Sequence, residues 1–199
     1  MRTVWFVEVD RPTLVLGSTQ SEALVDRKRT AAAGVDVVRR HSGGGAVLLR
    51  PGETVWADVY LPAGDALADS DVGRAPVWLG RAWARALAAV GVTGAMVHEG
   101  APRPATAWSA AVCFAGLGPG EVTAGGAKVV GISQRRRRDG ALFQCGALVR
   151  WAPSDLVDLL ALPDDGGAAT GPGLDTVAAG TGVDPDRLAS AFEGALNSA

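Results

Sequence analysis

The sequence predicts an α+β (mixed α/β) domain, and three observations carry that prediction. Short apolar runs rich in Val, Leu, Trp and Phe recur between turn residues, two pairs of them across hairpin-type turns. One stretch, residues 75–90, has the period of an amphipathic helix. Strands and helices do not alternate regularly, which argues against a Rossmann arrangement. At 199 residues the chain suits one domain and can bury a substantial core.

Along the chain, residues 4–9 read as a strand, and after Arg11-Pro12 a second short strand, Leu14-Val15-Leu16, ends at Gly17. Residues 21–33 have helical composition and Gly34 stops them. A strand over 35–40 feeds a glycine triplet, and strands over 46–49 and 54–61 are joined by Arg50-Pro51-Gly52-Glu53, a favourable hairpin turn. In the 75–90 helix Trp78, Ala82, Trp83, Ala86, Leu87 and Val90 share one face, with Arg81 and Arg85 on another. Its tryptophans are read as core residues. Residues 93–109, with Pro102 and Pro104, read as a loop. A second hairpin spans 129–135 and 141–149, turning at Arg138-Asp139-Gly140. A helix over 154–160 is expected to be N-capped by Ser154. A flexible Gly/Ala/Asp-rich connector follows over 163–174, and a last helix, 184–196, places Leu188, Phe192 and Leu196 in register.

Composition narrows the function. The net charge of -2 offers no basic stripe for nucleic acid and no membrane-surface patch. The N-terminus has neither the signal-peptide nor the transit-peptide pattern, and no apolar run is long enough to span a bilayer, so a cytoplasmic protein is expected. Cys113 and Cys145 lack metal-ligand spacing, and with only His41 and His98 no protein-built metal site is expected. Of 19 basic residues only Lys28 and Lys128 are lysines. Lys28 lies in a charged surface run. Lys128 lies among glycines and valines, where a compact point charge has a use that a planar guanidinium cannot fill.

The most informative segment is Arg39-Arg40-His41-Ser42-Gly43-Gly44-Gly45-Ala46-Val47. Three consecutive glycines between apolar strands carry an entropic cost, so the backbone there must need to be free of side chains. Close approach of a phosphate or carboxylate to exposed N–H groups is one such need, and the arginines add forked donors for the same anion. A glycine bulge at a sheet corner is the other reading. The spacing matches neither a Walker loop nor a G-x-G-x-x-G fingerprint. The second segment, Gly125-Gly126-Ala127-Lys128-Val129-Val130-Gly131, would present a mobile ammonium able to stabilise charge on an acyl-phosphate.

Taken in order, these segments resemble the lipoate–protein ligase and octanoyltransferase superfamily, whose catalytic domain is shared with biotin protein ligases. The family pattern is R-R-x-S-G-G-G-A-V, then G-x-K-[IV]-x-G, then a glutamine- or histidine-containing hairpin strand with glycine. Here these are Arg39 to Val47, Gly126 to Gly131, and Phe143-Gln144-Cys145-Gly146, and Leu14 to Gln20 matches the family's early strand. The resemblance runs from about Val4 to Val149. It implies a mixed, mostly antiparallel sheet flanked by helices, and transfer of lipoate or octanoate to a lysine of a lipoyl carrier domain. It assigns Arg39, Arg40, Ser42, Gly43, Gly44, Gly45, Lys128 and Gly131 to the acyl-adenylate site, with Lys128 at the acyl carbonyl and phosphate. ATP and Mg2+ are the implied cofactors. The implied partners are the lipoyl domains of 2-oxoacid dehydrogenase E2 or the glycine cleavage H protein.

Some features depart from the pattern. Leu49 and Cys145 stand where many members have histidine. Residues 1–199 are expected to form one catalytic domain without the family's accessory C-terminal domain or its usual N-terminal strand and helix. Cys113, in Ala111-Val112-Cys113-Phe114, occupies the region where cysteine-dependent octanoyltransferases carry a nucleophile. Three readings follow: an ATP-dependent ligase, an ATP-independent transfer from acyl-carrier protein through a Cys113 thioester, or a non-catalytic protein that binds an acyl cofactor or carrier. Cys145 is a weaker nucleophile candidate. His41, His98 and the Arg135–Arg138 run read as exposed or turn residues, the run being a possible contact for an acidic carrier.

Overall fold

The computed structural model describes residues 1–104, 107–162 and 173–198. Its strands are β1 (Thr3–Val7), β2 (Thr13–Leu16), β3 (Asp36–Arg39), β4 (Val47–Leu49), β5 (Thr54–Pro62), β6 (Ala95–Val97), β7 (Arg103–Pro104), β8 (Gly116–Leu117), β9 (Val122–Ala124), β10 (Ala127–Arg137) and β11 (Gly140–Leu148). The helices are α1 (Arg27–Ala32), α2 (Val77–Ala89), α3 (Pro153–Val157), α4 (Leu174–Val177) and α5 (Pro185–Leu196). Six strands form an antiparallel sheet in the order β1-β5-β11-β10-β9-β6. A smaller sheet, β3-β2-β4, pairs β2 with β3 in parallel and with β4 antiparallel. A third, two-stranded sheet joins β7 and β8. The fold is the mixed, mostly antiparallel α+β arrangement expected from the sequence.

Period-2 alternation gives the large sheet two unlike faces. Val55, Ala57, Val59 and Leu61 of β5 and Phe143, Cys145 and Ala147 of β11 point into one core, beneath α2 and α5. There Trp83 stacks on Phe192 with ring centroids 3.6 Å apart, and both rings are fully buried. The alternate residues, Trp56, Asp58, Gln144 and Ser133, lie on the opposite face, toward the small sheet. A second core around Leu14, Leu16, Val112, Leu156 and Leu160 holds that small sheet in place. No helix among the described residues is long and apolar enough to cross a membrane.

Several local expectations are corrected. The helix predicted over 21–33 starts at Arg27, because the Asp26 carboxylate accepts from the Lys28 and Arg29 amides, while Ser21 caps a separate 3-10 turn at Glu22–Leu24. Ser154 caps nothing: α3 begins at Pro153 without a side-chain cap, proline's fixed φ suiting the first helical position. Asp184 does cap α5. The 93–109 loop contains β6 and β7. The 50–53 turn forms, with Glu53 N donating to Arg50 O, but its strands do not pair. β4 adds to β2 and β5 to β11 and β1, so the turn carries the chain between sheets. The hairpin of β10 and β11 is as predicted. Of the 163–174 connector, residues 163–172 lie outside the described residues, and Leu174 opens α4.

Candidate active site

Three stretches meet on the polar face of the large sheet: the glycine loop between β3 and β4, the 3-10 turn Cys113–Ala115 with the chain up to Glu121, and the start of β10. Between them is a cavity of about 540 Å³ lined by Gly43, Gly44, Gly45, Cys113, Glu121, Lys128 and Ser133 among others. That volume falls within the range of small-molecule sites.

The glycines of the loop have different reasons to be glycine. A Cβ on Gly45 would sit 2.5 Å from the Val112 carbonyl carbon and 2.6 Å from the Cys113 nitrogen. That close approach is enforced by Ala46 N donating to Ala111 O and Cys113 N donating to Ala46 O. Gly44 has φ +98°, a left-handed conformation. Gly43 alone of the triplet has neither constraint: a Cβ there would meet nothing within 4 Å. Its bareness serves the open cavity.

Arg40 lies beneath this loop and is almost fully buried, at 6% exposure. Its Nη2 donates to Gly43 O at 2.7 Å and approaches Cys113 Sγ at 3.9 Å; Nη1 reaches Val15 O at 3.5 Å. Its buried Nε has no partner among the described residues, and the guanidinium has no carboxylate within ion-pair distance there. A buried cation without a counter-ion is costly, which suits a site that receives an anion. Arg39 is used differently. Its Nη1 donates to the carbonyls of Gly17 and Gln20 at 2.9 and 2.6 Å, bracing the loop after β2; neither arginine lines the cavity wall itself.

Lys128 is not the mobile ammonium anticipated from its glycine-rich surroundings. It is 3% exposed, and Nζ reaches Glu121 Oε2 at 2.7 Å, Cys113 O at 3.0 Å and Gly116 O at 3.0 Å, over the Phe114 ring. These acceptors use all the donors an ammonium has. A register shift between Lys128 and Val130 explains its direction. Plain alternation would put Lys128 on the face of Val130 and Ile132; the bulge instead turns it to the face of Gly131 and Ser133. Gly131 makes room, since a Cβ there would be 3.4 Å from Lys128 Cε and 3.3 Å from the Phe114 ring. Gly131 thus packs against the lysine stem and does not line the cavity.

Glu121 escaped the sequence reading. Besides Lys128 it accepts from Gly118 N at 2.6 Å and Ile132 N at 3.1 Å, so its carboxylate ties the cavity floor together. A charged lysine this deeply buried is stabilised by a counter-ion, but nothing in the local sequence marks which acid supplies it. Ser42, 1% exposed, lies behind the glycines, where Oγ contacts Ser133 Oγ at 2.7 Å and Gln144 Oε1 at 2.8 Å. Cys113 is half-buried and lines the cavity, whereas Cys145 is fully buried in the α2/α5 core, where burial pushes its thiol up to about 12. The two cysteines are free. His41 is exposed, and His98 contacts Ala101 O within its own turn.

Comparison with known proteins places the chain in a family and matches its fold. The family model for the lipoyl protein ligase A/B catalytic domain matches residues 1–173. No curated protein sequence matches the chain. Among solved structures, a T. acidophilum protein with bound lipoic acid superposes with TM-score 0.71 at 18% identity, over 99% of this chain and 71% of that one. The bi-partite lipoate protein ligase of Thermoplasma acidophilum, solved as part of a lipoylation system with its E2 lipoyl domain, gives TM-score 0.76 at 18% identity, over 99% and 70%. Lipoate-protein ligase A bound with ATP gives 0.72 at 18% identity, over 99% and 72%. At such identities these structures speak to the fold.

Proposed function

Because the chain belongs to the lipoyl protein ligase A/B catalytic-domain family, we propose that it transfers lipoate or octanoate to a lysine of a lipoyl carrier domain through an acyl-adenylate, in the cytoplasm. The observation that carries this reading is the buried Arg40 guanidinium, without a counter-ion among the described residues, beneath a loop whose Gly43 is bare toward the cavity. An acyl-adenylate supplies the missing anion through its phosphate. The relatives solved with lipoic acid and with ATP support both substrates, and the ligase solved with its E2 lipoyl domain supports the carrier.

In the first half-reaction a carboxylate oxygen of the fatty acid attacks the α-phosphorus of ATP, and pyrophosphate leaves. Loop N–H groups and Arg40 would hold the phosphate as charge develops on it. In the second, the carrier lysine amine attacks the acyl carbonyl carbon, AMP leaves, and the amine gives up a proton. Lys128 can engage the carbonyl or phosphate oxygens only by exchanging one of its three present acceptors. Its charge is already balanced by Glu121, whereas Arg40 beneath the loop has no carboxylate partner among the described residues, and the exposed Arg103 also lines the cavity. Among the described residues no group of three His, Cys, Asp or Glu could hold a metal, and Glu121, a cavity-lining carboxylate, is committed to Lys128 and two amides. An Mg2+ here would be held chiefly by the phosphates of ATP rather than by a protein cage.

One observation favours a second reading: Cys113 Sγ faces the same cavity with Arg40 Nη2 beside it. In that case the thiolate attacks an octanoyl thioester of acyl-carrier protein, the carrier thiol leaves, and the Cys113 thioester passes the octanoyl group to the lysine. The deciding experiment measures pyrophosphate release and carrier acylation with lipoate plus ATP, then acylation from octanoyl-acyl-carrier protein without ATP. ATP-dependent transfer that survives Cys113→Ala establishes the ligase. ATP-independent transfer abolished by Cys113→Ala overturns it in favour of the thioester route, and no turnover by either route, with acyl binding intact, overturns both.

A further inference from the structure

Ser133, Gln144 and Asp58 occupy matched positions on β10, β11 and β5, forming a row across the sheet under the glycine loop. Their hydrogen bonds have a direction. As a carboxylate Asp58 only accepts, so it receives Trp56 Nε1–H at 2.8 Å and Gln144 Nε2–H at 3.1 Å. This orients the Gln144 amide, turning Oε1 to Ser42. Ser42 has one hydroxyl proton and donates it to that Oε1 at 2.8 Å, so its 2.7 Å contact with Ser133 has Ser133 as the donor. The other place for the Ser133 proton, Gln144 O at 3.4 Å, is the longer one. Ser133, which lines the cavity, is left with only acceptor capacity toward it.

We infer that Asp58 and Gln144 are positioning residues: they direct a hydrogen-bond chain that clamps Ser42, and with it the glycine loop, to the large sheet, and that presents Ser133 to the cavity as an acceptor. The clamp stands on the ligand-free geometry; its effect on ligand rests on the acyl-adenylate reading above. Ser42 transmits the clamp further, because its carbonyl accepts from the Ser18 amide at 2.9 Å. A ligand able to donate, such as the ribose hydroxyl of an adenylate or the ammonium of a carrier lysine, satisfies Ser133.

A charge-and-amide exchange separates direction from mere packing. Gln144→Glu sets two carboxylates side by side and breaks the chain. Adding Asp58→Asn restores it, since the introduced amide accepts from Trp56 and donates to the introduced carboxylate, which still accepts from Ser42. The wild-type chain, Gln144→Glu, Asp58→Asn and the double variant are compared by solvent exchange of the Ser18 amide and the Trp56 indole N–H in NMR. Affinity for a non-hydrolysable lipoyl-adenylate analogue is measured in parallel. For Gln144→Glu, Ser18 exchange rises about tenfold and analogue affinity falls about tenfold, as loss of a part-buried charge-assisted bond implies. Amides of α2 and α5 stay as in the wild type. The double variant returns both quantities to within about threefold of wild type, as coupling of contacting residues requires. A double variant no better than Gln144→Glu, or a Gln144→Glu protein indistinguishable from wild type, overturns the proposal. If the exchange pattern is as described but the wild type does not bind the analogue, the clamp is supported and the acyl-adenylate reading fails.

Discussion

Lys128 and Glu121 form a buried pair at the edge of the cavity, 3% and 8% exposed, and each also holds backbone groups that shape the site. Such a pair is worth more through what its loss leaves behind than through its own attraction. Lys128→Met strands the Glu121 carboxylate, and the expected cost is about 3–5 kcal/mol of unfolding free energy. Adding Glu121→Gln removes the stranded charge but turns its NH2 toward the Gly118 or Ile132 amide, so the double variant recovers part of the loss in urea unfolding, while carrier acylation stays lost in both. A double variant as unstable as the single one would show that the lysine's carbonyl contacts, not the ion pair, dominate. At this scale the sequence was partly legible. Lys128 stood out because lysine is scarce and flanked by glycines, but its partner is a matter of tertiary contact that no spacing rule supplies. Arg40 and Arg39 read alike in sequence, and only their surroundings separate a buried cation beneath the glycine loop from a brace on Gly17 and Gln20.

The glycine loop shows how one motif holds two kinds of requirement. Gly45 is bare because backbone from Val112 and Cys113 occupies the space, and Gly43 because the cavity does. Gly45→Ala is therefore expected to destabilise the fold by about 1–3 kcal/mol through overpacking. Gly43→Ala should leave the thermal midpoint within a degree or two of wild type, on the order of a surface change, yet raise the KM for ATP or lipoate. Thermal unfolding and steady-state kinetics on the two variants read this directly, and the reverse pattern would relocate the ligand away from Gly43. The elements around the loop were legible where local chemistry decides. The 75–90 helix and the β10–β11 hairpin carry their period and their turn within themselves. The strands flanking Arg50-Pro51-Gly52-Glu53 also looked like a hairpin, and the turn is real, yet β4 and β5 join different sheets. Turn residues specify a reversal of the chain, whereas the choice of partner strand depends on β2 and β11, far away in sequence. Likewise the Asp26 cap displaced the helix start from Ser21, because both residues carry a capping side chain and only one is followed by an α-helix.

The whole molecule uses the large sheet as a partition. Adjacent residues of β11 point to opposite sides: Gln144 into the polar network under the glycine loop, Cys145 into the dry core against α2 and α5. The site's preorganisation depends on that core staying closed, and Cys145 reports on it. Burial raises the thiol from 9.0 to about 12 in the folded chain. A group whose pKa is higher folded than unfolded holds its stabilising effect below the unfolded value and loses it as pH rises toward the folded one. Stability should then fall between about pH 9 and 12 by up to about 1.4 kcal/mol per pH unit from this group. Other groups titrate in the same window, so the quantity to follow is the difference between wild type and Cys145→Ala in urea unfolding from pH 8 to 11. The variant begins less stable, by about 1 kcal/mol for the lost sulfur, and the gap narrows as pH rises because only the wild type has a thiol to ionise on unfolding. Parallel curves would mean that solvent reaches Cys145 in the folded state, and that the sheet does not seal the helix side from the site. Cys113, on the cavity side, should react with iodoacetamide in the native protein while Cys145 reacts only as the core opens, which assigns each thiol to its own face of the sheet.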